Sequence, residues 1–107
     1  MTTFDERERG YEAHFVLDQD HEFKAQARRN RMLGLWAGER LGLAGEALQG
    51  YVADVQRADL KEGGDEDVFQ KVMADLAEKS VEVLPHELRE KMDALLFQAR
   101  TEIKEGR

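Results

Sequence analysis

The sequence predicts an all-α protein: a four-helix bundle preceded by a labile, partly helical or disordered N-terminal segment. Three observations carry this. Apolar residues recur at a helical period along four successive stretches, so each stretch can bury one face. The 107 residues include a single proline, and little else interrupts those stretches. Apolar residues make up 41% and charged residues 36%, with 7% aromatic, a balance that suits a small helical domain better than a β-sandwich rich in turns. Residues 1–21 are expected to form the separate leading segment. Residues 22–107 are expected to form the bundle, with helices over about 22–41, 44–61, 65–80 and 85–104.

The leading segment has helical leanings over about Thr3 to Leu17. Thr3 and Glu6 have the spacing of a capping box, in which each side chain satisfies an orphan backbone N–H. Phe4, Tyr11 and Phe15 fall on one helical face, but the stripe is thin. Gly10 sits in its middle at a cost of about 1 kcal/mol against alanine. Short isolated helices are marginal in water, so this segment is expected to fold fully only against something else.

The stretch from about Glu22 to Leu41 carries two apolar faces, which predicts the central helix of the bundle. Phe23, Ala27, Gly34, Ala37, Gly38 and Leu41 form one face; Ala25, Met32, Trp36 and Leu43 form nearly the opposite one. Gly34, Gly38 and Gly42 repeat at i, i+4 and i+8, a spacing that admits the close approach of another backbone. The next helix is striped by Ala44, Leu48, Tyr51, Val55 and Ala58 and is expected to end before Gly63-Gly64. Asp65, Glu66 and Asp67 open the third helix, where acids complement the helix dipole; its stripe is Val68, Phe69, Val72, Met73 and Leu76. Val81, Val83 and Leu84 read as a connector pinned to the core. Pro85 begins the last helix, striped by Leu88, Met92, Leu95, Leu96, Ala99 and Ile103.

Composition excludes several functions. The net charge of −7 argues against whole-protein affinity for nucleic acid or anionic lipid. That charge is uneven: −5 over residues 1–22, +4 over residues 23–41 and −6 over residues 42–107, as if separate segments had separate jobs. No stretch is apolar enough to span a membrane, and no secretory leader is evident at the start. Zero cysteines removes thiolate chemistry, and a reducing cytoplasm fits.

Candidate chemistry is sparse. His14, Asp18 and His21 share a face with zinc-ligand spacing, but no fourth ligand accompanies them, and solvated histidines are the better reading, with no metal expected. The acids at 65–67 lack the calcium-loop pattern. Arg28, Arg29 and Arg31 could hold phosphate and Trp36 could stack on a base, which leaves a regulatory ATP or ADP as an alternative; a solvated flank pairing with acids elsewhere is favoured. No catalytic motif is present, and no enzyme is expected.

Several blocks together resemble a known family. Thr3-Phe4-Asp5-Glu6-Arg7-Glu8-Arg9 with Glu12-Ala13-His14-Phe15, Phe23-Lys24-Ala25, and Ala27-Arg28-Arg29-Asn30-Arg31-Met32-Leu33-Gly34-Leu35-Trp36-Ala37 look like the alphaproteobacterial ATP synthase inhibitor called subunit zeta. Gly64-Asp65-Glu66-Asp67-Val68-Phe69, Lys71-Val72 and Asp75-Leu76 are similar to its third block. The resemblance implies an inhibitor of the F-type ATP synthase that blocks ATP hydrolysis, its N-terminal segment acting on the α, β and γ subunits of the catalytic head while the bundle anchors it. It further implies that Thr3, Phe4, Asp5, Glu6, Arg7, Glu8, Arg9, Tyr11 and Phe15 carry the inhibition. The location implied is the bacterial cytoplasm, at the inner face of the plasma membrane through the ATP synthase.

Overall fold

The computed structural model describes the backbone of residues 3–59 and 64–107, and side chains from residue 19 onward within those ranges. Four helices follow one another: α1 (Thr3–Arg40), α2 (Gly45–Ala58), α3 (Asp65–Glu78) and α4 (Pro85–Lys104), with no strand among the described residues. Three of these match the expected helices to within three residues at either end. The first does not. The leading segment and the first bundle helix are one continuous helix of 38 residues. Asp18, Gln19, Asp20 and His21 contain no glycine or proline to break the backbone, and the Asp20–Lys24 pair at 3.2 Å bridges successive turns just beyond them. At 1.5 Å per residue α1 is about 57 Å long, which accounts for most of the 63 Å long axis.

The second half of α1 is the central member. It packs against α2 on one side and α4 on another, both antiparallel to it, and touches α3. The core joins Leu33 and Ala37 of α1 to Tyr51 and Val55 of α2, Val68, Phe69, Val72 and Leu76 of α3, and Leu88, Met92 and Leu95 of α4. Leu33, Leu76 and Leu88 are at most 1% exposed, and burying each contributes on the order of 2 kcal/mol. Gly34 and Gly38 of the glycine repeat make the close approach its spacing suggested, whereas Gly42 lies beyond the end of α1 with nothing within 4 Å of its would-be Cβ. A Cβ on Gly34 would stand 2.9 Å from the Val52 backbone Cα, and one on Gly38 would overlap Leu48. At the end of α1, Gly42 adopts a left-handed φ of +81°, and two backbone bonds, Gly42 N–H to the Glu39 carbonyl and Leu43 N–H to the Gly38 carbonyl, close the helix.

Two expected burials are corrected. Phe23 and Ala27, placed on an apolar face of α1, are exposed, because an open cleft rather than close packing separates them from Ala53 and Gln56 of α2. Leu84 is 57% exposed; only Val81 and Val83 of the connector pack on the core. Leu84 serves instead as the N-cap of α4, its N–H donated to Glu87 Oε1 at 3.3 Å.

Candidate functional site

The site of interest lies where α1 leaves the bundle. Gln19, Asp20 and His21 are exposed, and Ala25 is the first buried residue of α1 among the described side chains. The nineteen helical residues 3–21 amount to about 28 Å of helix ahead of that point. The inhibitory candidates Thr3, Phe4, Asp5, Glu6, Arg7, Glu8, Arg9, Tyr11 and Phe15 belong to that arm, and their side chains lie outside the described residues, as do those of His14 and Asp18.

A collar of ionic contacts grips the root of the arm. Arg100 of α4 donates through Nε to Glu22 Oε2 at 2.8 Å and through Nη2 to Oε1 at 2.5 Å, a two-pronged pair. The Arg100 hydrogen bond holds the Glu22 carboxyl below the usual carboxylate range and raises the guanidinium in turn. One turn and a half further on, Arg28 donates to Glu102 Oε1 at 3.1 Å and also to the Arg107 carbonyl. The Glu102 carboxyl is lowered by the Gln98 amide first and by Arg28 second.

Arg29 completes the collar from inside. Its side chain is 2% exposed, donates through Nε to Asn30 Oδ1 at 2.7 Å and through Nη2 to Asp65 Oδ1 at 2.5 Å, and so ties α1 to the start of α3. The arginine run is thus only partly a solvated flank. Arg28 and Arg29 pair with acids elsewhere on the bundle, as a flank would, but Arg29 is buried; Arg31 alone is fully on the surface. The four residues considered for nucleotide do not converge. Trp36 stands seven residues beyond Arg29, about 10 Å along the helix, and faces Arg40 at 4.6 Å and Lys91 at 5.6 Å instead. Sequence reasoning read Asp65, Glu66 and Asp67 only as dipole partners. Asp65 also neutralises Arg29, and Glu66 accepts from Arg89 at 2.8 Å. Among the described residues no cluster of three or more histidines and acids is placed to hold a metal.

Fold and collar together define a class: an all-α protein whose bundle is built around the second half of one long helix. The chain matches the family described as ATPase inhibitor subunit zeta over residues 1–102, and it belongs to that family. No curated protein matches it. As a member of an inhibitor-subunit family it is a regulatory protein and not an enzyme, and its partner is an ATP synthase. No helix among the described residues is long and apolar enough to cross a membrane.

Proposed function

We propose that the arm formed by residues 1–21 blocks ATP hydrolysis by entering the catalytic head of the ATP synthase and obstructing rotation. One observation supports this above the others: α1 runs unbroken from Thr3, yet its first buried described side chain is Ala25. An amphipathic helix with aromatic anchors at Phe4, Tyr11 and Phe15 is suited to a groove between α- and β-type subunits, against the rotating γ shaft. Asp5, Glu6, Arg7, Glu8 and Arg9 supply polar contacts there, with Thr3 at the helix start. The sequence of the arm favours helix only weakly by itself, so part of the ordering cost falls at binding, which keeps the contact reversible. Rotation driven by proton flow in the synthesis direction ejects the wedge. The protein then works in the bacterial cytoplasm, held at the inner face of the membrane by its partner. A chain lacking residues 1–19 is expected to lose inhibition of ATP hydrolysis by the purified enzyme; full inhibition by that truncated chain would refute the assignment.

A second reading, regulation by ATP or ADP, is favoured by the cationic Arg40 and Lys91 beside the Trp36 ring. A saturable change in Trp36 fluorescence on nucleotide titration supports it, and a flat response up to millimolar nucleotide retires it.

A further inference from the structure

Three large apolar side chains among the described residues stand mostly in solvent: Phe23 at 75%, Phe97 at 72% and Leu84 at 57%. An isolated exposed phenylalanine is ordinary on a protein surface. These two phenylalanines are not isolated from the site. Phe23 belongs to α1 at the root of the arm, and Phe97 of α4 lines a cleft with Gln19 and Glu22 of that root. Phe97 rims a cleft of about 640 Å³ between α1 and α4, together with Gln19, Glu22, Thr101 and Ile103. Phe23 rims a cleft of about 600 Å³ between α1 and α2, together with Ala27, Ala53 and Gln56.

Lys104 and His21 line the first cleft and Asp59 the second, and several of the other charges at or near them pair with one another. Lys24 pairs with Asp20, Arg57 with Asp54, and Arg100 with Glu22. Phe97 and Ile103 in one cleft and Phe23, Ala27 and Ala53 in the other give a partner aromatic and aliphatic surface whose removal from water is the available gain. Any body that encloses the arm down to its root must also come against residues 19–27, and so against both clefts.

We propose that Phe23 and Phe97 form a two-pronged apolar seat that docks on the catalytic head of the ATP synthase around the entry of the arm. The inference rests on the reading that the arm enters that head. The occupant of each cleft is an apolar side chain of the head. The seat and the arm then act as linked contacts, in which the first to bind raises the local concentration of the second. Losing the seat lowers apparent affinity and leaves the inhibition reached at saturation unchanged.

The test uses the full chain with Phe23→Ser, Phe97→Ser and the double substitution, and with Phe23→Leu and Phe97→Leu as conservative controls. Binding to purified ATP synthase and inhibition of ATP hydrolysis are measured separately. Each serine variant is expected to bind roughly 10-fold more weakly and the double roughly 100-fold, the scale of interface anchors. The leucine variants are expected to retain most of the affinity. Unfolding midpoints of all five are expected at or above wild type, because these side chains are exposed. Unchanged binding by the double variant overturns the seat. So does wild-type self-association in sedimentation that the double variant abolishes, since the surface would then serve a second copy of this chain. Full inhibition by the chain lacking residues 1–19 is a different result: it overturns the arm, and binding by the double variant still reads the seat.

Discussion

Exchanging two glycines for alanine, one at a time, separates backbone contact from helix propensity. Gly34 and Gly50 are both helix-interior residues. Replacing either by alanine removes the conformational cost of glycine, a gain of about 1 kcal/mol. At Gly50 nothing lies within 4 Å of the new Cβ, so the gain stands alone. At Gly34 the Cβ meets the Val52 Cα at 2.9 Å, where ordinary carbon contacts are about 3.5–4.0 Å apart. The obstacle is backbone, which has no rotamer to change, so α1 and α2 must separate by roughly 0.6 Å or more along a packed seam. Overpacking of that kind costs about 1–3 kcal/mol, and the backbone contact puts Gly34→Ala toward the upper end. The net expectation is a loss of about 1–2 kcal/mol for Gly34→Ala and a gain of about 0.5–1 kcal/mol for Gly50→Ala. The midpoints of thermal unfolding, followed by far-ultraviolet circular dichroism, are then expected to differ by roughly 10 °C, on the basis of 4–8 °C per kcal/mol for a domain of this size. A Gly34→Ala midpoint equal to or above that of Gly50→Ala would show that the α1–α2 seam is not closed at this point.

Ser80 holds a left-handed φ of +59° at the end of α3, where its N–H and that of Val81 cap the Ala77 and Leu76 carbonyls; Ser80→Gly is expected to raise stability by about 0.5–1 kcal/mol in urea unfolding. Leu88→Ala is expected to cost about 2–5 kcal/mol by the same measurement, because the side chain is fully buried between helices. The folded-state shifts of Glu22, Glu66 and Glu102 are all downward, so their stabilising contribution is complete at neutral pH. It begins to fade as pH falls past the ordinary glutamate value of about 4.3 and is lost through the lower folded values. The urea midpoint is expected to drop across that window, and Glu22→Gln to flatten part of the drop; an acid-insensitive midpoint in the wild type contradicts the ionic collar. Asp65→Ala is expected to destabilise more than Arg29→Met, since the first leaves a buried guanidinium without its carboxylate and the second fills the same space with apolar atoms.

What the sequence made legible was whatever repeats with the helical period or departs from it locally. The stripes through Tyr51, Val55, Val72, Leu76, Leu88 and Met92 gave three helices and their buried faces, because burial of one face is what sets that period. The Gly34–Gly38 spacing gave the close approach of α2 for the same local reason. Contacts between residues far apart in the chain left no such trace. Arg29 sits in a basic run that looks solvated, and only the fold brings Asp65, thirty-six residues later, against its guanidinium. Phe23 has the correct register for an apolar face, but register does not say how closely the neighbouring helix packs. The leading segment and the bundle helix share one helical backbone, since nothing between Leu17 and Glu22 interrupts a helix, so a division between them at residue 21 is one of function and not of secondary structure.

That join bears on how the protein can be taken apart. The buried side chains of α1 begin, among the described residues, at Ala25, whereas the proposed inhibitory residues end at Phe15, about 15 Å away along the helix. Over such a distance substitutions are expected to act independently, so an arm change that weakens inhibition leaves the unfolding midpoint alone, and a core change does the reverse. Independence breaks down only where both parts share contacts, and the collar is that place. Glu22 belongs to the continuous helix, yet its carboxylate is held by α4; Arg28 reaches both Glu102 and the Arg107 carbonyl. The exposed part of these pairs contributes little to global stability, because water screens them. Their leverage is geometric. A pair that fixes the side chain of Glu22 at the base of a 28 Å lever sets the direction of its tip, so a small energy at the collar governs a large displacement at the end that meets the enzyme.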